Sequence, residues 1–176
     1  MVEVTFTPTA EDYVAVQRAM FVRQLRSRRF RWQMARLLAF MVVAMVAIPW
    51  LVDGRVTKAA LLWMMPFPLW GMGAIGIIIG CNWLLLPRRA RRLFAQQKTL
   101  HHDHHGMFDA TGVRLTSTRC NVALPWHELL GWHAGRKVVL LYNNEMLANF
   151  VPVRAFGPGE LAQVEALLTQ AGVPRR

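Results

Sequence analysis

The sequence predicts an α+β membrane protein: a two-helix transmembrane hairpin followed by a small antiparallel β domain that a C-terminal helix closes. Three observations predict this fold class. Two long stretches, 37–52 and 59–87, contain no charged side chain, arginines concentrate on the outer flanks of the pair, and residues 106–176 alternate between short apolar runs and turn residues. With 176 residues, 54% of them hydrophobic, the chain is too apolar to be disordered and long enough for an anchor plus one domain.

The two uncharged stretches have the length of membrane spans. A helix needs about 20 apolar residues to cross a hydrocarbon core about 30 Å thick, and about 17 is the lower limit. The segment 59–87 exceeds this length. The segment 37–52 is short, but Arg36 can extend to the headgroups, and Trp32 and Trp50 suit the two interfaces. We therefore predict two spans joined by a polar turn at 53–58, with buried helices of a soluble core as the alternative.

Basic residues flank the predicted hairpin on one side of the membrane. They are Arg18, Arg23, Arg26, Arg28, Arg29, Arg31 and Arg36 before it, and Arg88, Arg89, Arg91, Arg92 and Lys98 after it. Because Lys and Arg favour cytoplasmic loops, both termini are predicted to be cytoplasmic and the turn at 53–58 periplasmic. Topology and attraction to anionic lipid headgroups account for the net charge of +11, so the sequence predicts no nucleic-acid partner.

The remaining segments are predicted to lie in the cytoplasm. Segment 1–36 begins with an alternating strand, Val2, Val4 and Phe6, and continues from Thr9 as a basic amphipathic helix. Segment 88–105 is predicted to be a basic, His-rich linker. Segment 106–176 is predicted to be a meander of short strands and a last helix that starts near Glu160. Because so small a domain is marginal, the N-terminal strand is expected to complete its sheet.

Three segments of the last domain resemble the YcxB-like family. They are Phe108-Asp109-Ala110-Thr111-Gly112-Val113, Pro125-Trp126-His127-Glu128-Leu129 and Val151-Pro152-Val153-Arg154-Ala155-Phe156. The resemblance implies a bacterial inner-membrane protein with two spans and a C-terminal domain similar to pleckstrin-homology (PH) domains. It implies no catalytic residues. Trp126, Pro152 and Phe156 are therefore interpreted as structural, with Trp126 buried in the core.

Glycines in the second span suggest close helix packing. Gly71 to Gly76 match the G-x-G-x-x-G spacing, but no strand precedes them and no acidic residue follows about 20 positions later, so a dinucleotide site is not predicted. Gly76 and Gly80 form a G-x-x-x-G pair, which allows a second helix to approach closely. That helix is either the first span of the same hairpin or a second copy, which would give a homo-oligomer. Pro66 and Pro68 are expected to kink the early part of this span.

The tract His101-His102-Asp103-His104-His105 is the one segment that suggests a metal. Imidazoles are ordinary zinc ligands, so His101, His102, His104 and His105 are weak candidates. Neighbouring side chains on a strand point to opposite faces, however, and no second ligand motif accompanies the tract. We interpret it as a polar linker at the level of the headgroups.

These observations favour a binding protein over an enzyme. The predicted function is an inner-membrane-anchored, non-catalytic adaptor or regulator without a cofactor, which contacts the lipid bilayer, anionic headgroups and an unknown protein partner. One alternative is a membrane immunity protein that neutralises a toxin. A less favoured alternative is a metal-dependent enzyme that uses the His tract.

Overall fold

The computed structural model describes the backbone of residues 1–176 and every side chain except those at positions 53, 60 and 120. The chain divides into two compact units. We call Met20–Leu86 the helical unit, and Met1–Ala19 together with Pro87–Arg176 the β unit. The β unit is therefore discontinuous in sequence, because the helical unit is inserted into it.

Two long apolar helices dominate the first half of the chain, as predicted. Helix α1 spans Ala10–Arg26 and α2 spans Arg28–Asp53, followed by α3 (Lys58–Met64) and α4 (Pro66–Gln96). The predicted amphipathic helix does not continue to Trp32, because Ser27 starts a new helix: its hydroxyl accepts the N–H of Phe30 at 3.1 Å. Gly54, with φ of 67°, caps the end of α2.

Within the helical unit, α4 contacts both α1 and α2. The rings of Phe21 on α1 and Trp83 on α4 lie 5.8 Å apart, and a side chain at Gly71 on α4 would overlap the end of Met41 on α2. The break between α3 and α4 falls immediately before Pro66, where the sequence predicts a kink, because proline cannot donate a backbone hydrogen bond to the preceding turn. Pro68, the other predicted kink position, lies inside α4.

A four-stranded antiparallel sheet opens the β unit. Its strands are β1 (Val2–Phe6), β2 (His104–Phe108), β3 (Gly112–Ser117) and β4 (Cys120–Pro125), in that order. Strand β1 pairs with β2 from Val2 opposite Phe108 to Phe6 opposite His104, which confirms that the N-terminal strand completes the sheet. The alternating sequence of β1 buries Val2, Val4 and Phe6 and exposes the residues between them.

A three-stranded antiparallel sheet and the last helix complete the β unit. The strands are β5 (Gly131–Ala134), β6 (Val138–Tyr142) and β7 (Ala148–Pro152), and helix α5 spans Glu160–Gln170. Every residue of β6 is buried, so it is the central strand in packing as well as in order. Strand β7 begins two residues later than the apolar run at Met146 predicts, because Asn144 accepts the N–H groups of Met146 and Leu147 and extends the turn.

One hydrophobic core joins both sheets and α5. Phe108 from β2, Val151 from β7, and Val164 and Leu168 from α5 have no exposed surface. Residues Val2, Val4 and Phe6 belong to the same cluster. The core of the β unit is therefore built from segments that lie on both sides of the inserted helical unit.

Candidate functional site

The two long helices present their apolar side chains outward. The segments Arg28–Val52, of 25 residues, and Leu61–Gln96, of 36 residues, are long and apolar enough to cross a membrane by length and composition. Only 6% of the apolar window in the first and 0% of that in the second is buried. A soluble core helix would be mostly buried, so the alternative of soluble core helices is not supported by the packing.

Exposed tryptophans lie along the helical unit. They are Trp32 and Trp50 on α2, Trp63 on α3, and Trp70 and Trp83 on α4. Eighteen positions separate Trp32 from Trp50, which is about 27 Å along a helix at 1.5 Å per residue. That distance is close to the thickness of a hydrocarbon core of about 30 Å, and tryptophan favours the two membrane interfaces.

The glycines of α4 lie on two different faces. Gly71 faces α2, where Met41 approaches it too closely for any side chain. A Cβ atom built at Gly73, Gly76 or Gly80 has no atom within 4 Å other than those of its own helix turn and neighbours. Among the atoms that the structure describes, the Gly76–Gly80 pair therefore makes no close contact with the first span.

A carboxylate at the start of α1 holds the N-terminal segment of the β unit in place. The side chain of Asp12 is 8% exposed, and its Oδ2 accepts from the backbone N–H and the hydroxyl of Thr9 at 2.9 and 2.8 Å. The same oxygen accepts from Nη2 of Arg154 at 2.6 Å, and Arg154 also donates to the carbonyl of Thr7 at 2.9 Å. These bonds fix the chain between β1 and α1 to the turn that follows β7.

Two further contacts join α1 to the end of α4 within the β unit. Glu11 and Arg91 form an exposed ion pair at 2.7 Å. The ring of Phe94 lies 6.1 Å from that of Tyr13 and 4.8 Å from that of His101. The helices that lead to and from the inserted unit are therefore tied together where they meet the β unit.

The structure separates the histidines of the tract. Nε2 of His101 lies 3.1 Å from the carbonyl of Phe94, His104 stacks on Phe6 at 5.6 Å between ring centroids, and Nδ1 of His105 lies 3.0 Å from the hydroxyl of Thr5. His102 takes part through its carbonyl, which lies 2.8 Å from Nδ1 of His104. Among the side chains described, no three His, Cys, Asp or Glu groups could share a metal ion.

The boundary of the predicted linker 88–105 also differs from the structure. Helix α4 continues to Gln96, a 3-10 turn spans Lys98–His101, and β2 begins at His104. The physical reason is strand pairing: His104 and His105 lie opposite Phe6 and Thr5 of β1. The sequence of the tract itself carries no alternation that reveals this pairing.

The three segments that resemble the YcxB-like family meet in the structure. Trp126 is 5% exposed, and its indole N–H donates to the carbonyl of Asp109 at 3.1 Å, while its backbone N–H donates to the carbonyl of Thr111. Phe156 packs on Phe108 with ring centroids 5.9 Å apart. Pro152 is fully buried at the end of β7. These residues lie within the core and its turns.

The glycine of that first segment is required by close packing. A Cβ atom at Gly112 would lie 2.5 Å from the carbonyl oxygen of Leu124 and 2.9 Å from Cα of Pro125. The turn before it is held by the carboxylate of Asp109, which accepts from the N–H and hydroxyl of Thr111 at 2.6 Å each and from the N–H of Gly112 at 2.9 Å. These hydrogen bonds, the hydroxyl of Thr111 first, lower the pKa of Asp109.

The turn between β6 and β7 exposes two adjacent apolar side chains. Met146 and Leu147 are 82% and 64% exposed, and their backbone N–H groups donate to the side-chain oxygen of Asn144. We call Asn143–Leu147 the β6–β7 tip.

Sequence reasoning found some of these features and missed others. Thr9 and Asp12 were identifiable as a helix start, but Arg154 lies 142 positions away, and nothing in a single sequence links the two. Asn143 and Asn144 predict a turn, since asparagine favours turns, and the turn is present. The exposure of Met146 and Leu147 was missed, because these two residues continue the apolar pattern of β7.

Comparison with known proteins supports one assignment. A family model described as YcxB-like protein matches residues 108–168, about a third of the chain, which confirms the resemblance over those residues. No curated protein and no solved structure matches the chain.

Proposed function

We propose that this chain, whose residues 108–168 belong to the YcxB-like family, is a membrane-anchored, non-catalytic binding protein. Its β unit acts as a PH-like adaptor or regulatory domain on the cytoplasmic face of a bacterial inner membrane. The helical unit is the anchor. One observation carries this proposal: β1 pairs with β2, although all the inserted helices lie between these two strands in the sequence.

Strand pairing restricts the topology. Residues 2–6 and 104–108 belong to one sheet, so both must be on the same side of any membrane that the intervening chain crosses. The number of crossings between them is therefore even. Two long apolar helices satisfy that requirement, which gives an argument for the hairpin topology that does not depend on the distribution of charge.

The distribution of charge and of tryptophan supports the same arrangement. The arginine-rich ends of the helices belong on the cytoplasmic side by the positive-inside rule, and the short turn 54–57 on the other. On the cytoplasmic side the arginines meet anionic headgroups, each worth about 1 kcal/mol near the surface. The spacing of Trp32 and Trp50 fits one hydrocarbon thickness.

The PH-like assignment is supported by the order of elements. The family resemblance implies a PH-like C-terminal domain that a helix closes. The β unit has four antiparallel strands, the first of them from the N-terminus, then three strands and then a C-terminal helix. On this proposal the transmembrane hairpin is an insertion between the first and second strands of the domain. Such an insertion ties the domain to the bilayer by two chain segments instead of one.

For partners, we propose the bilayer with its anionic lipids, a protein that binds the β unit, and a second copy that packs on Gly76 and Gly80. The β6–β7 tip is a candidate contact for the protein partner, since it combines exposed apolar area with a fixed backbone. We propose no nucleic-acid partner and no cofactor. The imidazoles of His101, His104 and His105 each have a different neighbour, so the metal-enzyme alternative gains no support from the geometry.

A topology assay tests the anchor. A reporter active only in the cytoplasm, fused after Arg176, is expected to be active, and the same reporter inserted at Gly54 is expected to be inactive. Replacing Arg88, Arg89 and Arg92 together by alanine should disturb the orientation more than replacing Arg55 and Lys58. An inactive fusion at Arg176 in the unaltered protein would contradict the proposed orientation.

Site-specific photocross-linking in native membranes tests the binding role. A photoreactive amino acid at Met146 is expected to trap a discrete protein, whereas the same amino acid at Gln163, exposed on α5, is expected to trap little. A cytoplasmic or membrane protein of the same cell trapped at Met146 supports an adaptor. If the helical unit instead traps an exogenous toxin and Met146 traps nothing, the immunity alternative replaces the proposal.

A further inference from the structure

The edge of β5 is covered by the chain that follows helix α5. Trp132 forms a parallel bridge with Arg175: its N–H donates to the carbonyl of Pro174 at 3.0 Å, and its carbonyl accepts from the N–H of Arg176 at 2.8 Å. In the three-stranded sheet β5 is an outer strand, and this pairing extends the sheet by a short additional segment.

Two parts of this segment differ in burial. Val173 belongs to the hydrophobic core, and its carbonyl accepts from the buried indole N–H of Trp132 at 3.1 Å. Pro174, Arg175 and Arg176 are exposed. Val173 therefore anchors the chain, whereas the three residues after it, which we call the tail, lie on the surface of the sheet edge.

The contacts of the tail are those by which a sheet edge recognises an extended peptide. Main-chain hydrogen bonds supply the pairing, and a side-chain contact supplies selectivity, because the guanidinium of Arg175 lies 5.0 Å from the ring centroid of Trp132. Nδ1 of His133 adds a contact of 2.8 Å to the carbonyl of Arg176. The edge is also shaped for close approach, since a Cβ atom at Gly131 would lie 2.7 Å from the carbonyl oxygen of Pro174.

Residues 174–176 bridge this edge at Trp132, and β5 continues through His133 to Ala134. An extended segment of a partner that occupied the same edge would therefore compete with these residues for the backbone of Trp132.

We propose that the edge of β5 is a docking site for an extended basic segment of a partner protein, and that the tail occupies it as an internal competitor. The partner segment carries arginine at the position of Arg175, which stacks on Trp132, and an amide N–H at the position of Arg176, which bonds to the carbonyl of Trp132. Binding requires the tail to leave, while Val173 and the core stay in place.

This inference deepens the proposed binding role and rests on it, but not on membrane insertion. The site lies within the β unit, so failure of the topology assay would leave it intact. Conversely, if no peptide binds to the edge, the topology and the contacts at the β6–β7 tip are unaffected. The two failures are therefore distinguishable.

Fluorescence anisotropy with a labelled peptide tests the proposal. The probe is Pro-Arg-Arg-Thr-Val-Thr-Val, which copies residues 174–176 and adds an extended stretch for His133 and Ala134. The full chain in nanodiscs is compared with a variant that lacks residues 174–176. Removing the tail is expected to increase the affinity for the probe at least tenfold, because a tethered competitor acts at an effective concentration in the millimolar range.

Changes in the peptide provide controls that leave the protein fold untouched. Replacing the first arginine of the probe by norleucine should weaken binding about twofold to fivefold through loss of the cation–π contact. Methylating the amide nitrogen of the second arginine should weaken it about tenfold, because the bond to Trp132 is lost. A probe that binds equally well with and without that methyl group is attracted by charge alone, which would overturn the proposal.

A second protein variant covers the case in which truncation disturbs the fold. Arg176→Pro keeps the length of the chain and removes the N–H that bonds to Trp132. It is expected to bind the probe more tightly than the unaltered protein, with an unchanged melting temperature of the core. Equal and weak binding of the probe to the unaltered protein and to both variants would show that the tail closes the sheet and does not compete with a ligand.

Discussion

Trp126 follows β4, and both of its N–H groups donate to the turn between β2 and β3. Its side chain is buried, and it donates to the carbonyls of Asp109 and Thr111. Trp126→Ala is expected to lower the free energy of unfolding of the β unit by about 3–5 kcal/mol, a large part of the stability of a small domain. Trp126→Phe, which keeps most of the packing and loses the indole hydrogen bond, should cost about 1 kcal/mol beyond the change in volume.

Trp32 supplies the matched control for this prediction, because it is of the same residue type but exposed on α2. Denaturant unfolding of the detergent-solubilised protein, followed by amide hydrogen exchange in β2 and β3, measures both variants. Trp32→Ala should leave the protection of these strands unchanged. A Trp126→Ala protein with unaltered protection would show that the tryptophan is not the anchor of the core.

Asp109 links the stability of the same turn to pH. Its hydrogen bonds to Thr111 and Gly112 stabilise the ionised carboxylate, so its pKa in the folded protein is below the ordinary value of 3.8. A lowered pKa contributes stability that is present above the ordinary value and is lost as the pH falls through the folded value. The melting temperature of the unaltered protein should therefore exceed that of Asp109→Ala at pH 7, and the difference should shrink at pH 3.

Asp103 provides the comparison for this pH effect, because it accepts a hydrogen bond from Thr7 outside the Asp109 turn. The Asp103→Ala protein keeps Asp109, so the part of its fall in melting temperature from pH 7 to pH 3 that is due to Asp109 should persist. A difference between the unaltered protein and Asp109→Ala that stays constant from pH 7 to pH 3 would mean that the carboxylate acts through its shape and not through its charge.

At the level of residues, the sequence identifies side chains whose role is local and misses those whose partners are distant. Thr9 and Asp12 form the predicted helix start, because both groups lie within one turn. That Asp12 is buried and receives Arg154 depends on the return of the chain after β7, and no pattern in the sequence encodes it. The His tract shows the same limit, because its neighbours Thr5 and Phe6 come from the other end of the sheet.

Helix α4 has one face that the hairpin uses and one that it leaves open. Gly71 lies against Met41, whereas a side chain at Gly76 or Gly80 would meet nothing within 4 Å. If a second copy packs on these glycines, Gly76→Val with Gly80→Val should weaken self-association in a membrane by about tenfold or more, because the branched side chains hold the helices apart. Förster transfer between labelled copies in liposomes measures this equilibrium.

Ala74→Val is the control for the glycine variant, since it adds the same kind of bulk to another exposed position of α4. It should leave energy transfer unchanged. Undiminished transfer in the double glycine variant would exclude this face as the contact between copies.

At the level of elements, strong local signals set the boundaries that the sequence predicts correctly. The break between α3 and α4 falls at Pro66, where a kink is predicted, and the turn between the two predicted spans lies between α2 and α3. The helices extend beyond the apolar runs 37–52 and 59–87, since α2 begins at Arg28 and α4 ends at Gln96. The boundaries that differ do so because a polar side chain binds the backbone nearby: Ser27 divides the predicted basic helix, and Asn144 delays the start of β7. One side chain that hydrogen-bonds to the nearby backbone can end a helix or delay a strand although the apolar pattern continues. Such boundaries are therefore hard to predict from sequence alone.

For the whole molecule, the chief consequence is that the β unit is made from two separate pieces of the chain. Residues Met1–Ala19 contribute β1 and the start of α1, and Pro87–Arg176 contribute the rest. The sequence suggests this arrangement through the small size of the C-terminal segment and the alternation of Val2, Val4 and Phe6. Register and edge position could not be inferred, because they depend on which strand offers a free edge.

The discontinuous β unit predicts that its two pieces fold together without the hairpin. A fusion of residues 1–19 to residues 87–176 through a Gly/Ser linker of about 20 residues, which reaches about 25 Å on average, should be soluble and cooperatively folded.

Residues 87–176 alone lack β1, which buries Val2, Val4 and Phe6 against Phe108 and its neighbours. Loss of three such side chains removes roughly 5–8 kcal/mol of burial, comparable to the entire stability of a small domain. The fragment is therefore expected to melt at a much lower temperature than the fusion. A fusion that carries Val4→Asp should melt like the fragment, because this substitution places a charge in the core. Calorimetry of the three proteins decides the matter: equal melting temperatures would mean that β2–β7 and α5 form a complete domain and that β1 is only an addition to its edge.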